Sequence, residues 1–441
     1  MSDGVFLIFL RGASIAFIMR ALGVGLVFLL QLLLARLLGA EVFGQYIYVF
    51  TWITVLALIG KLGLDTGSLR YLSTYQSLSQ WGLVRGYIRW SSELATMASL
   101  LLLFFTALII WLLSERLGSD LTKTFLVGLL VLPFMVLMQL YSSYMQAFKY
   151  IGRAQLPQSV LRPIFIGATI FCVYSFGFVS NAALVMGIEL VSTIVAFGVA
   201  WVFVRRISYN RFIAARINYR KGEWLKSIFP MFIVSGAQMV LAKSDIIMVG
   251  MLLSPTQAGK YAVASLLAGL VTFFIMAANQ IVAPLISELY HQEKFLELQR
   301  IITISVVSIF AITLPLILIL AYFGVEFLGL FGMEFRDQYS VLFVLMVGQI
   351  VIVAWGPVGF LLTMTHHQSE ASWIIGAAAI LNLVLNIILI PALGVIGAAI
   401  ATSIAVSLRS IALGFVVWRK LKIMPTLFSP ILLRFWPQFP K

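Results

Sequence analysis

Five basic side chains lie inside long apolar stretches of this 441-residue sequence, where a charge is costly to bury. They are Arg20, Arg36, Lys61, Lys243 and Arg409. Cations in such surroundings usually face a water-filled cavity or a partner of opposite charge. The chemistry that they offer is electrostatic binding, and the sequence therefore points to an anionic ligand.

Polar side chains accompany these cations. Gln31 follows Arg20 by eleven residues, which at 100° per residue brings both to nearly the same face of a helix. This stripe fits a cavity wall, and an interhelical salt bridge of Arg20 is the alternative. Thr402 similarly shares a helical face with Arg409. Other polar positions, which either meet the hydroxyl groups of a sugar or join helices, are Gln139, Ser143, Thr272 and Asn279.

Two acidic residues stand close to these cations in the sequence. Lys243 and Asp245 are two positions apart, so they point to nearly opposite faces of a helix. We expect one of them to face the lumen and the other to pair with a neighbouring helix, with Asp245 either a packing partner or a carrier of a coupling ion. Lys61 and Asp65 have the i, i+4 spacing of a structural clamp.

Catalytic motifs are absent from the sequence. It contains no Walker motif, GxSxG, HExxH or CxxC, which disfavours ATP-driven transport by this chain and enzymatic chemistry in general. His366 and His367 are read as solvated loop residues, because no further metal ligands accompany them. We therefore expect a non-enzymatic protein that uses no cofactor and no metal centre.

The composition defines the elements that carry these residues. The chain is 62% hydrophobic and only 10% charged, whereas ordinary soluble domains carry about 25% charged residues. Its long apolar runs indicate an all-α polytopic membrane protein, since about 20 residues cross the hydrocarbon core. The sequence predicts twelve transmembrane helices at residues 12–38, 44–66, 88–113, 121–147, 157–178, 181–205, 227–252, 256–283, 301–323, 338–364, 371–391 and 395–419.

The net charge of +14 is explained by the loops rather than by nucleic-acid binding. Loops on one side carry 21 of the 30 Lys and Arg residues, and Arg162 is counted there. The positive-inside rule then places both termini in the cytoplasm. The opposite side carries Arg116, Lys123, Lys260 and Arg336.

An internal repeat divides the chain into two halves. Gly44-Gln45-Tyr46 matches Gly259-Lys260-Tyr261 at an offset of 215, and Asn181-Ala182-Ala183 matches Gly397-Ala398-Ala399 at an offset of 216. Six helices per half make the two lobes parallel repeats. The predicted domains are an N-terminal lobe, a basic cytoplasmic linker, a C-terminal lobe and a cytoplasmic tail, at 1–205, 206–226, 227–420 and 421–441.

Four strings also resemble a known family over almost the whole chain. They are ARLLGAEVFGQY (35–46), LGLDTGSLRYLS (62–73), KSDIIMVGMLLSPTQAGKYAVA (243–264) and LNLVLNIILIPALGVIGAAIAT (381–402). They are similar to the polysaccharide-export flippases of the multidrug/oligosaccharidyl-lipid/polysaccharide (MOP) superfamily, of the O-antigen and teichuronic acid type. The family often has an Arg after the Asp of the third string, whereas here Lys243 precedes Asp245.

The resemblance implies a V-shaped, MATE-like transporter of two six-helix lobes with alternating access. It also implies transfer of an undecaprenyl-pyrophosphate-linked oligosaccharide from the inner to the outer leaflet of a bacterial cytoplasmic membrane. Expected partners are this lipid-linked oligosaccharide, membrane lipids and other polysaccharide assembly proteins, without nucleic acid. Arg20 and Lys243 are then the leading pyrophosphate contacts, followed by Arg409 and Arg36.

Two other functions remain open. A cation-coupled multidrug exporter of the same superfamily would need an acidic, aromatic site, whereas the charge inside these apolar stretches is mostly positive. A membrane-embedded glycan polymerase or ligase would need a large outer loop with catalytic residues. The longest predicted outer loop, 324–337, is short.

Overall fold

The computed structural model describes residues 3–177, 181–211, 215–427 and 429, all of it helical or irregular. Part of the predicted linker and most of the predicted tail, residues 430–441, lie outside it. The helices of the first part are α1 (Asp3–Lys61), α2 (Leu64–Ser77), α3 (Trp81–Leu112), α4 (Ser114–Leu117), α5 (Ser119–Ala147), α6 (Ile151–Gln155), α7 (Arg162–Ser175), α8 (Ala182–Arg211) and α9 (Lys221–Leu252). They are followed by α10 (Pro255–Gly269), α11 (Phe273–His291), α12 (Phe295–Phe331), α13 (Tyr339–Trp355), α14 (Val358–Met364), α15 (Gln368–Leu393) and α16 (Val395–Leu421).

Eleven segments of the described chain are long and apolar enough to cross a membrane. The first of them, Ile18–Lys61, has 44 residues, which is about twice the length that one crossing needs. Gly39 divides it, because its φ of 72° is not helical and is easily adopted only by a residue without a side chain. Counting α1 as two crossings yields twelve, as the sequence predicted, and the all-α polytopic fold class is confirmed.

Internal contacts divide the chain into two compact units, Met1–Gly236 and Ala237–Lys441, with the division inside α9. Within the first unit, α5 is the central helix, and α1, α2, α3 and α8 pack against it. Within the second unit, α16 packs against both α13 and α15. The predicted lobe and linker boundaries remain a prediction.

The basic connector between α8 and α9 is shorter than its charge pattern indicated, and it is held in place. Residues 206–211 extend α8, and residues 221–226 begin α9. The backbone N–H of Asn218 donates to the carbonyl of Gly82 at 3.1 Å. A Cβ at Gly86 would lie only 1.8 Å from the Asn218 carbonyl oxygen, so only glycine at that position of α3 admits this close approach. The described part of the connector is therefore packed against the first unit.

An aromatic cluster packs the start of α9 against α2 and α3 of the first unit. Trp224 is fully buried, and its ring lies 5.1 Å from the rings of both Tyr87 and Trp90. Its indole Nε1 donates to the hydroxyl of Tyr75 at 2.9 Å, which satisfies the one polar atom of the side chain. The first turns of α9 consequently share the core of α2 and α3.

Candidate functional site

Helix geometry shows how deep each predicted cation lies. At 1.5 Å per residue, Arg36 is about 4.5 Å before the break at Gly39, whereas Arg20 is about 28 Å before it. The hydrocarbon core is about 30 Å thick, so these two side chains lie near its opposite edges. Lys243 lies about 13 Å before the end of α9, and Arg409 about 18 Å before the end of α16. Of these four cations, Lys243 and Arg409 are thus nearest the middle of the membrane.

These four cations have no counter-charge in the part of the chain that the structure describes. Arg20 and Arg36 are exposed, and Lys243 and Arg409 are half-buried. Among the described residues, no carboxylate lies within ion-pair distance of any of them, and no hydrogen-bond acceptor contacts them. A cation in an apolar span needs a partner, and the described chain supplies none to these four side chains.

Lys61, by contrast, is paired. Its ammonium group lies 2.7 Å from Oδ2 of Asp65, across the turn where α1 ends and α2 begins. Both side chains are largely shielded, and the spacing is the predicted i, i+4. The pair is a clamp between two helices rather than part of an anion site, as its spacing indicated.

A second paired cation corrects the sequence prediction. Arg162 was counted with the loop charges, but it lies near the middle of the span Ile151–Ser175. Its Nε donates to Oε1 of Glu189 on α8 at 2.6 Å, and its side chain and that of Glu189 are 12% and 0% exposed. The guanidinium group also lies 4.9 Å from the ring centroid of Phe50. The short π-helical segment Leu156–Leu161 leads into this position without ending the span.

A buried carboxylate of the second unit forms the largest polar network that the structure describes. Asp245 is 4% exposed and accepts hydrogen bonds from four side chains on three helices. Tyr261 donates at 3.0 Å, Asn386 at 2.7 Å and Asn382 at 3.2 Å. The two asparagines donate to Oδ1 of Asp245. Tyr261 and Thr402 both donate to Oδ2. Every donor is neutral, so the network solvates the charge of Asp245 without compensating it.

One acceptor in this network has no donor. Asn386 uses its amide nitrogen on Asp245, while its buried carbonyl oxygen Oδ1 accepts no hydrogen bond from any described residue. Buried polar atoms of this kind are rare in folded proteins, and each calls for an explanation. The Oδ1 atom therefore marks a position where a proton donor or a small cation would be stabilised beside Asp245.

In each half of the repeat a tyrosine donates a hydrogen bond to a buried carboxylate, but only one of the two carboxylates has a counter-charge. Tyr46 donates to Oε2 of Glu189 at 3.1 Å, and its repeat equivalent Tyr261 donates to Oδ2 of Asp245 at 3.0 Å. In the first half Arg162 neutralises the acid. In the second half no Lys, Arg or His of the described chain lies within ion-pair distance of the acid. The same arrangement is thus a closed ion pair in one half and an uncompensated anion in the other.

The other predicted polar residues differ in whether the structure gives them a hydrogen-bond partner. Ser143 donates to the backbone carbonyl of Gln139 at 3.2 Å, and Thr272 to that of Gly269 at 3.0 Å, so both hydroxyls are used inside their own helices. Asn279 is buried, and its Oδ1 has no partner among the described residues. Gln31 is half-buried. Their contact with a sugar stays a prediction.

Sequence reasoning did not pair Glu189 with Arg162, and it identified none of the four donors to Asp245 as partners of that carboxylate. Asn382 and Asn386 are separated by four residues in the otherwise apolar stretch 381–390, which is a visible signal of a buried polar face. Glu189 is similarly alone in an apolar span. What the sequence does not display is which of these groups contact each other.

Comparison with solved structures identifies the fold. A multidrug resistance MATE transporter of the MOP superfamily, in its inward-facing conformation, matches with a TM-score of 0.72 and 13% identity, over 90% of this chain and 94% of that one. The lipid II flippase MurJ, in an inward closed conformation, matches with a TM-score of 0.71 and 17% identity, over 98% of this chain and 94% of that one. The protein is a multi-pass membrane protein with the fold of the MATE and MurJ transporters.

Comparison of sequences identifies the family. The model of the family described as "Polysaccharide biosynthesis protein" matches residues 9–290, which is more than half of the chain. This chain belongs to that family, and the resemblance seen in its sequence is confirmed. The probable low-salt glycan biosynthesis flippase Agl15 of Haloferax volcanii is 24% identical over 168 residues, and the match spans 36% of the length of that relative.

Proposed function

We propose that this chain is a flippase that moves an undecaprenyl-pyrophosphate-linked oligosaccharide from the cytoplasmic to the outer leaflet, for synthesis of a surface polysaccharide such as O-antigen. The observation that carries this proposal is the set of basic side chains inside membrane spans that have no counter-charge in the described chain. A pyrophosphate is prohibitively costly to bring into hydrocarbon alone. Charge-assisted hydrogen bonds from Arg20, Lys243 and Arg409 would offset that cost.

The relatives support the same substrate class. The family is described by polysaccharide biosynthesis, and the relative Agl15 and the structural neighbour MurJ are both named flippases. Alternating access of the two halves would carry the charged head group across while the undecaprenyl tail stays on the lipid-facing side of the protein. Gln31, Gln139, Ser143, Thr272 and Asn279 would meet the sugar hydroxyls. Other polysaccharide assembly proteins would supply the substrate and use the product.

A carboxylate without a counterion supports coupling to a cation. Asp245 carries one negative charge, four neutral donors surround it, and the unused oxygen of Asn386 lies beside it. One carboxylate with amide and hydroxyl oxygens balances a proton or a monovalent cation, whereas divalent cations prefer several carboxylates. We therefore assign the ion-coupling role to Asp245, with either a proton or Na⁺ as the ion.

The multidrug exporter is the competing function, since MATE transporters share the fold. An exporter of organic cations would need acidic side chains facing its substrate. Among the residues that the sequence singled out inside apolar stretches, Arg20, Arg36, Lys243, Arg409 and Asp245 form no ion pair in the described chain. Four of these five are cations, which favours an anionic substrate.

A deletion strain tests the proposed substrate. We expect bacterial cells without this protein to accumulate the lipid-linked glycan in the cytoplasmic leaflet and to lose the surface polysaccharide, and we expect the intact gene to restore both. Leaflet distribution is read from the access of a membrane-impermeant glycosidase to the glycan in inverted and right-side-out vesicles. Normal surface glycan together with raised sensitivity to cationic drugs would establish the exporter instead.

The proposed location is the bacterial cytoplasmic membrane, with both termini in the cytoplasm. In a Cys172→Ser background, cysteines placed at the exposed residues Ser77 and Ser369 should react with an impermeant maleimide only from the cytoplasmic side. A cysteine at Ser119 should react only from outside, because α3 crosses the membrane between Ser77 and Ser119. Labelling of Ser77 and Ser119 from one face would contradict the proposed topology.

A further inference from the structure

An apolar groove lies between α1 and α7 within the first unit. Its volume is about 420 Å³, and Leu26, Leu30 and Leu33 of α1 line one wall. Pro163 and Gly167 of α7 lie opposite. This size is within the range of about 300–1,000 Å³ that is typical of small-molecule sites.

The groove exists because the two helices do not fill the space between them. Gly167 has no side chain, and a Cβ built there would lie 3.7 Å from Leu30 and 3.8 Å from Leu33, at ordinary contact distance from both. Leu29 and Ile164, on the two walls, are 58% and 50% exposed, so the groove opens at the surface of the unit. A cavity walled by leucines stays free of water, and hydrocarbon is the material that fills it favourably.

Arg36 is the single charged residue among the groove residues. It lies about 4.5 Å before the break at Gly39, at the edge of the membrane, whereas the leucines continue from there toward the bilayer centre. Its side chain is exposed, and it has no acceptor among the described residues. A cation at the membrane edge above an apolar groove matches a lipid that has a phosphate and a hydrocarbon chain.

We propose that this groove binds the isoprenoid chain of the polyprenyl pyrophosphate carrier and that Arg36 binds its phosphate groups, for which undecaprenyl monophosphate is a simple probe. The groove has one cation and one row of leucines at i, i+4, i+7 spacing, which fits one chain rather than the two of a phospholipid. Arg20 lies about 24 Å away along the same helix, near the other membrane edge, so the groove is separate from it. The proposal rests on the proposed function, in which the Gly39 end faces the outer leaflet and the groove holds the carrier after the glycan has crossed.

Binding of undecaprenyl monophosphate to the purified full chain tests this proposal. We expect Leu33→Trp, which fills the groove, and Arg36→Gln, which removes the charge, each to weaken the binding measured by native mass spectrometry at least about tenfold. The matched controls Leu22→Trp, at an exposed leucine of α1 outside the groove, and Arg116→Gln, at an exposed arginine of α4, should change it less than about twofold. Phosphatidylglycerol should bind more weakly and should be insensitive to Leu33→Trp.

The outcomes separate the groove from the transport function. Because Arg36 is exposed, its replacement does not disturb the core, so Arg36→Gln is informative even if Leu33→Trp fails to fold. Unchanged undecaprenyl phosphate binding by Arg36→Gln, or equal losses for undecaprenyl phosphate and phosphatidylglycerol, would overturn the proposal. If cells without the protein still display normal surface polysaccharide, the flippase function is rejected. If undecaprenyl phosphate binding still depends on Arg36 in that case, the proposed lipid site is retained.

Discussion

Alanine at Arg20 or at Lys243 is expected to stop surface display of the glycan while the protein still accumulates in the membrane. Neither side chain has a counter-charge in the described chain, so its loss leaves no buried carboxylate unpaired and costs little stability. Each would contribute a charge-assisted contact to pyrophosphate of about 1.5–3 kcal/mol, which corresponds to about 10- to 100-fold in transport. Surface glycan and membrane protein level are measured together for each variant.

Two kinds of control variant make this test specific. Arg20→Lys and Lys243→Arg should retain partial export, because pyrophosphate needs positive charge first and the planar guanidinium geometry second. Arg162→Ala should instead lower the protein level, because it leaves Glu189 buried without its partner, at a cost of about 3–5 kcal/mol. Full export by both alanine variants at normal abundance would reject Arg20 and Lys243 as the site and leave Arg409 and Arg36 as the candidates.

Asparagine at Asp245 is expected to abolish export without loss of the protein. The amide has the shape of the carboxylate, but it carries no charge to attract a coupling ion. It also keeps one oxygen that accepts from the surrounding donors. The matched variant in the other half is Glu189→Gln, which makes the same chemical change to a tyrosine-bonded acid. That variant should reduce abundance, since it leaves Arg162 without a counter-charge.

Replacement of K⁺ by Na⁺ identifies the coupling ion at Asp245. If the ion is Na⁺, the purified protein should melt at a higher temperature in NaCl than in KCl, with a stabilisation of about 2.7 kcal/mol at 100 times the Kd. Asp245→Asn should abolish this difference. If the ion is a proton, the two salts should act alike, and export should stop when the proton gradient is collapsed. Normal export by Asp245→Asn would contradict a coupling role for this residue.

The membrane spans could be predicted from the sequence, but several of their ends differ from the observed helices by six to eight residues, and the predicted helix 338–364 is two helices, α13 and α14. The prediction ended the first helix at residue 38, and the structure breaks α1 at Gly39. The second crossing ends at Lys61, a few residues before the predicted end, because Leu62 and Gly63 form a turn with positive φ before α2. Such breaks carry local signals, since glycine and a change of polarity mark them.

The network around Asp245 could be predicted only in part. The sequence indicated that Lys243 and Asp245 do not face the same way, and in the structure they form no ion pair. It did not identify Asn382 and Asn386 as donors, which follow Asp245 by 137 and 141 positions. No periodicity within one helix reveals a hydrogen bond to another helix.

The internal repeat also shows that the sequence does not reveal contacts between helices. The sequence alone aligned Tyr46 with Tyr261, and the structure places each on a buried carboxylate. The acids themselves are not aligned, because Glu189 and Asp245 occupy different helices of their halves. Arg162 was counted as a loop charge for a related reason, since its partner Glu189 is 27 residues away.

The sequence by itself determined the membrane class, the number of crossings and the presence of cations within them. These properties depend on the hydrophobicity of each segment, which is local and additive along the chain. The i, i+4 spacing already indicated the Lys61–Asp65 pair, but only the tertiary structure decided that Arg162 is neutralised and that Arg20, Lys243 and Arg409 have no counter-charge among the described residues. A charge in a low-dielectric interior is compensated by groups within a few ångströms, and helix packing brings those groups from distant parts of the chain.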